Sequence, residues 1–213
     1  LREGWIGYRF NDSHRLQIGL TTVPFGVLPY TGNNYFFNLN YYAGLEDDAD
    51  MGIKYLFHKD RWELSLAYFQ NADLSGTGGD SELSASRYDY NLRPVRAPGE
   101  DRSVVTMAAY GSSYRIASRA DIYTVSLSYR IPVNKWFLDD ICLYNDFSLL
   151  GKRVAGFNDS LENVTGCSLA IGKVFTYIDY AVGRNHAWLG DVWDEAFAGG
   201  TEDNWNVRFN INI

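Results

Sequence analysis

Hydrophobic and polar residues alternate one by one along much of this chain. A side-chain period of two is the mark of β-strands whose two faces meet different surroundings. Ile6, Tyr8 and Phe10 alternate with Trp5, Gly7 and Arg9, and Leu16, Ile18 and Leu20 with Arg15, Gln17 and Gly19. Met51, Ile53, Tyr55 and Phe57 alternate with Gly52, Lys54, Leu56 and His58. Trp62, Leu64, Leu66 and Tyr68 do so with Arg61, Glu63, Ser65 and Ala67. Tyr123, Val125, Leu127, Tyr129 and Ile131 interleave with Thr124, Ser126, Ser128 and Arg130. The clearest run comes last: Trp205, Val207, Phe209, Ile211 and Ile213 against Asn206, Arg208, Asn210 and Asn212. Weaker alternation over 140–149, 164–172 and 174–184 brings the expectation to about nine strands. A further hairpin drawn from 87–93 and 104–115 raises it to about eleven.

The connections differ in length in a regular way. Turns at 11–14, 58–61, 131–140 and 172–174 are short or moderate. Links at 22–48, 71–119, 150–163 and 187–203 are longer and rich in Gly, Asp, Asn and Ser. Bacterial outer-membrane barrels have short periplasmic turns and longer external loops, and a soluble sandwich has no reason to. The two faces point the same way. The polar set is Arg, Asn, Ser, Thr, Gln and Gly with little Lys, which suits a hydrated interior better than the Lys- and Glu-rich exterior of a small soluble barrel. Phe10, Phe57, Trp62, Tyr129 and Trp205 lie near strand ends, where an aromatic girdle meets lipid headgroups. The expected fold is therefore all-β, a transmembrane antiparallel β-barrel occupying 1–213 as one domain. An odd strand count starting on the external side further predicts the C-terminal portion of a larger barrel.

Composition narrows the classes. Tyr 16, Phe 12 and Trp 6 make the chain 16% aromatic, which is high, and the formal charge is −7. No apolar run approaches the roughly 18 residues of a transmembrane helix. The acidic balance without a basic cluster argues against nucleic acid as a partner. Two cysteines, Cys142 and Cys167, fall on opposite parities and cannot form a disulfide framework.

Certain strings resemble the porin family that includes the phosphate-selective porins O and P. They are Thr22-Val23-Pro24-Phe25-Gly26, the run from Gly44 to Lys54, Tyr144 to Lys152, Tyr177 to Asn185, and Asn204 to Ile213. The resemblance touches both ends and most strands but not 71–119. It implies a barrel of roughly 16 to 18 strands, usually a homotrimer, that lets small hydrophilic solutes diffuse passively across the bacterial outer membrane. It also implies contact with membrane lipid and lipopolysaccharide, and no cofactor.

A porin needs a wet lumen whose fixed charges bias ion entry, and no catalytic or metal centre. Strand parity sends Arg9, Arg15, Lys54, Arg61, Arg130 and Arg208 to the lumen with Glu63, Asp146 and Asp179. The excess of cations there suits phosphate or other oxyanions, and planar guanidinium groups suit them well. Cross-strand ion pairs that merely brace the wall are the equal alternative. The segment 22–46, with its polar-aromatic run Asn33-Asn34-Tyr35-Phe36-Phe37-Asn38, either folds inward as a constriction or packs outside on a neighbouring subunit. Parity predicts that Leu127→Arg destabilises by about 2–4 kcal/mol while Ser126→Arg is tolerated. Asp47, Asp48 and Asp50 do not follow an EF-hand pattern and read as a solvated acidic loop. External acids such as Asp73, Asp80, Glu82, Glu100 and Asp101 offer sites for cation bridges to lipopolysaccharide. Enzymatic function is not expected. The histidines are His14, His58 and His186, and neither a Gly-x-Ser-x-Gly nor a His-Glu-x-x-His string occurs. A small β-barrel that binds an apolar ligand or adheres through its loops is the competing expectation.

Overall fold

The computed structural model describes residues 3–22, 32–45, 49–59, 62–69, 81–89, 101–109, 112–200 and 203–213. Within them the chain is mostly antiparallel β-sheet with almost no helix, as the alternation predicts. Strands β1 (Gly4–Arg9), β2 (His14–Thr22), β3 (Ala49–Lys59) and β4 (Trp62–Phe69) form one sheet in that order. Strands β5 (Ser81–Asp89), β8 (Arg119–Lys135), β9 (Leu138–Lys152), β10 (Ser160–Ile171), β11 (Val174–Arg184) and β12 (Trp205–Asn212) form a second, running β12-β11-β10-β9-β8-β5. The strands β6 (Val104–Ala109) and β7 (Ser112–Ala117) make a separate hairpin. One short helix, α1 (Leu39–Tyr42), and a 3-10 turn over Ala187–Leu189 are the helical exceptions. Among the described residues no helix is long and apolar enough to cross a membrane.

Several expectations need correcting. There are twelve strands among the described residues, where about nine or eleven were expected. The 71–119 link holds three of them: β6 and β7 are the extra hairpin, whereas β5 pairs with β8 instead. The loop expected at 150–163 is shorter, because β9 runs on to Lys152 and β10 begins at Ser160. Periodicity weakens at such ends because both faces there are polar. The turn between β8 and β9 is tight, with left-handed Asn134 (φ 49°) and Trp136 (φ 61°). Asn suits that conformation, but Trp gives up about 1–2 kcal/mol to adopt it.

Burial along the strands runs opposite to that of a soluble sheet. On β8 the polar Thr124 (1% exposed) and Ser126 (2%) are covered, while Leu127 (58%) and Tyr129 (70%) are bare. Val207, Phe209 and Ile211 on β12, and Ile18, Ile53, Leu66 and Tyr68 in the four-stranded sheet, are likewise exposed, whereas Gln17, Thr21 and Lys54 are buried. β8 and β9 thus have a covered, mostly polar face and a barer, mostly apolar one. Charged residues bound the bare apolar band at the long-loop end. Arg153 pairs with Asp121 at 3.2 Å and Arg184 with Asp203 at 3.4 Å, and the Arg184 guanidinium lies 5.7 Å from the centre of the Trp205 ring. Between Tyr123 and Ile131 the band on β8 is nine residues long, close to what a tilted strand needs to cross a bilayer. One polar island interrupts it: Asn145 Nδ2 donates to Thr165 Oγ1 at 2.8 Å and to Asn163 Oδ1 at 3.3 Å.

Candidate functional site

The covered face of the large sheet is covered by the chain itself. Segment 32–45, the β7 strand and segment 187–200 lie across its long-loop end. Tyr42, Tyr114, Ile116, Ala187, Ala196 and Phe197 pack there with Ile122 and Leu150 of the wall into one buried apolar cluster. The rings interlock. Tyr42 stacks near Phe197 (5.2 Å, 24°) and Trp188 (5.7 Å, 23°), and its backbone carbonyl accepts a 2.7 Å hydrogen bond from the Tyr114 hydroxyl.

Next to this cluster, segment 32–45 is tied to the wall through polar groups, and the ties follow from residue type. Asp146 on β9 and Asp179 on β11 project to the covered face and are fully buried. A buried carboxylate must find donors, because leaving one unpaired costs several kcal/mol. Asp146 takes three from one dipeptide: the Asn33 backbone N–H to Oδ2 at 2.6 Å, Asn33 Nδ2 to Oδ1 at 2.9 Å, and Asn34 Nδ2 to Oδ2 at 2.8 Å. Asp179 accepts the Tyr144 hydroxyl at 2.6 Å and the Tyr35 N–H at 3.3 Å. The Tyr144 side chain reaches across β10 because Gly166 lies beneath it. A Cβ at Gly166 would stand 2.6 Å from both Asp179 Oδ1 and the Ile178 carbonyl, and 2.8 Å from Tyr144 Cε2. Gly32 has a similar role, since a Cβ there would lie 3.2 Å from Asp146 Oδ2. At the start of α1 the Leu39 N–H donates to Ser148 Oγ at 3.1 Å.

Residues 32–45, the described part of the segment that sequence left between two placements, therefore lie on the covered face. Its asparagines read as loop polarity in the sequence, and only the register that brings Asp146 and Asp179 near each other shows them to be ligands of the wall. That register is visible on β10, where Val164 faces Asp146 and Gly166 faces Asp179 two residues further on.

The residues expected to line a lumen meet different surroundings. Asp146 and Asp179 share the expected face but have no exposure, so they hold the loop rather than meet solvent. Arg15 and Arg208 are exposed and make no ion pair among the described residues. Arg9 pairs with Asp12 at 3.1 Å and Arg130 with Asp140 at 4.0 Å, the latter with 72% of the Arg side chain exposed. Lys54 is 8% exposed beside Gln17. Arg61 lies outside the described residues, and so do the side chains of Glu63 and Trp62 on β4. Of the other girdle residues, Phe10 (58%), Tyr129 (70%) and Trp205 (53%) are exposed and Phe57 is half-buried. No disulfide joins Cys142 and Cys167, whose side chains point to opposite faces of adjacent strands. Asp47, Asp48, Asp73, Asp80 and Glu100 lie outside the described residues, with the side chains of Asp50 and Glu82. Among the described residues no group of three His, Cys, Asp or Glu is placed to hold a metal ion.

Lys152 ends β9 beyond the apolar band, level with Ala120 of β8. Its ammonium donates to the Ala196 carbonyl at 2.6 Å. Burial pulls its pKa down to about 7 against the opposing pull of the Asp159 and Asp191 carboxylates.

No protein-family model, no curated protein and no solved structure matches this chain.

Proposed function

We propose that the chain forms the wall of an outer-membrane β-barrel porin, a passive diffusion channel for small hydrophilic solutes in which segment 32–45 is the constriction. The observation that carries this reading is the inverted burial of the strands. Leu127, Tyr129, Val207, Phe209 and Ile211 are bare, and Thr124, Ser126, Asp146 and Asp179 are covered. In water such an apolar face would lose on the order of 25 cal/mol for every Å² left exposed, and hydrocarbon removes that loss. The covered polar face then surrounds a hydrated passage, narrowed where Asp146 and Asp179 draw the loop inward. Arg15 and Arg208, which share that parity and make no ion pair among the described residues, favour anions over cations. Phosphate and other small oxyanions are the solute class that guanidinium groups match best. The resemblance to phosphate-selective porins supports the same reading, and with it a homotrimer in the bacterial outer membrane.

The test begins on a gel. An outer-membrane barrel folded in detergent changes mobility when heated, whereas a soluble barrel runs the same heated or not. Planar-bilayer recording under a KCl gradient, repeated with phosphate, then reads conductance and its sign. Absence of both the heat shift and conductance would reject the porin, and a cation-selective current would reject the oxyanion assignment alone.

A further inference from the structure

Beside the clasp, a second connection joins segment 32–45 to the wall, and it runs through two groups that carry protons. Glu162 of β10 and His186, just past β11, are both fully buried, with Glu162 Oε1 3.6 Å from His186 Nε2. Ser148 joins this pair to the loop, because its hydroxyl donates to Glu162 Oε2 at 3.4 Å and its Oγ receives the Leu39 N–H at 3.1 Å. On its other side the His186 ring meets Tyr42 edge-on (5.3 Å, 90°) and Phe197 (4.9 Å, 77°). The first and last residues of α1 are thus both seated on one acid–base pair. Among the described residues neither ring nitrogen of His186 has a hydrogen-bond partner.

We propose that Glu162 and His186 form a proton-counting latch that holds segment 32–45 against the wall at intermediate pH and weakens its hold in both acid and alkali; this rests on reading that segment as the constriction of a channel. The physical reason is net charge. With one proton shared between them, the pair is neutral whether the proton sits on the carboxyl or the imidazole. Loss of that proton leaves a lone buried carboxylate, and gain of a second leaves a lone buried imidazolium. Either is an uncompensated charge in an apolar, aromatic setting, which costs several kcal/mol. Opening the loop to water relieves that cost. The other charged and titratable groups on the elements packed around the pair are Asp146 and Lys152 on β9, Arg184 on β11, Asp159 before β10, Tyr42 on α1, Tyr114 on β7 and Asp191 on the 187–200 segment. They remain in place in the variants below, so only the pair itself is changed.

The test is amide hydrogen exchange across 36–43 in the detergent-folded protein, read as protection factors corrected for the intrinsic pH dependence of exchange. Single-channel conductance is recorded over the same pH range. Protection is expected to peak at intermediate pH and to fall on both sides, on the order of a hundredfold where a lone charge is left buried. Glu162→Gln should abolish the alkaline fall and keep the acid one, and His186→Gln should do the reverse. A wild-type profile without a peak, or variants that keep both limbs, would overturn the latch. If one variant does not fold, the wild-type profile and the other variant still decide. Conductance separates the two readings: a protection peak in a protein that never conducts sinks the channel and leaves the latch, and a conducting protein whose protection ignores pH does the reverse.

Discussion

Gly166 is the position where one methyl group decides the most. It lets Tyr144 lie across β10 and reach Asp179, and a Cβ would meet a backbone carbonyl at 2.6 Å as well as that side-chain pair. Backbone cannot yield as a flexible side chain can, so Gly166→Ala is expected to cost about 1–3 kcal/mol, the usual range for overpacking. Denaturant titration of the folded protein measures it, and Gly151→Ala, whose nearest neighbour would be 3.5 Å away, is the matched control. Lys152 gives a pH-dependent expectation. The unfolded chain keeps its proton to the ordinary value of 10.5 and the folded chain only to about 7. Between those values the unfolded state binds more protons, so stability rises with pH; below pH 7 the full cost of burying the charge is present, and above 10.5 none is. Lys152→Met should therefore stand best relative to wild type below pH 7 and lose ground up to pH 10.5. A difference in unfolding midpoint that stays constant across this range would show that burial does not govern the lysine.

Segment 32–45 is the element whose placement matters most, and Asp146 is its principal anchor. Asp146→Ala removes three hydrogen bonds to a carboxylate and leaves the Asn33 and Asn34 donors without it. Since one hydrogen bond to a charged group is worth about 1.5–3 kcal/mol, the loop should detach before the wall unfolds. Limited proteolysis within the segment should quicken, and conductance should rise and become noisier, with little change in the heat shift of the wall. Asp146→Asn, which keeps an acceptor, should fall between. Here the limit of sequence reading is plain. Strand identity and face were legible because alternation at Tyr123–Ile131 or Trp205–Ile213 is set by local chemistry. The clasp was not, because Asn33 and Asp146 are 113 residues apart and meet only through the β9–β11 register. Parity grouped Asp146 and Asp179 on one face, the covered one, but it could not tell a residue that meets solvent from one that holds a loop. The same blindness affects Ser126, which sequence treats as a tolerant lumen position. It is 2% exposed and sits beside Asp146 across the β8–β9 pair, so an arginine there meets packed chain.

At the scale of the whole molecule, the proposed function requires the bare face to meet lipid. Leu127→Arg places a charge in the middle of that face and is expected to cost about 2–4 kcal/mol in a bilayer, whereas Ser128→Arg, on the covered face toward the short turns, should be tolerated. Equal costs would mean the bare face does not meet lipid. The polar island of Asn145, Asn163 and Thr165 is the exception within this face, and its position has a consequence for assembly. Side chains that hydrogen-bond are seldom left against hydrocarbon, and they favour contact with protein instead. Their mutual hydrogen bonds offset part of the cost, but Thr165 remains exposed at mid-height, with Leu127 next to Asn145 and Tyr180 next to Thr165. If the proposed porin is a trimer, this patch is therefore expected at the contact between copies. Replacing Asn145 and Asn163 together by Leu should leave the heat shift of each chain intact while shifting the unheated assembly from trimer to monomer, measured by sedimentation in detergent. An unchanged trimer would move the subunit contact to another part of the wall, and an assembly that tightened would mean that the island faces lipid and that its polarity works against association.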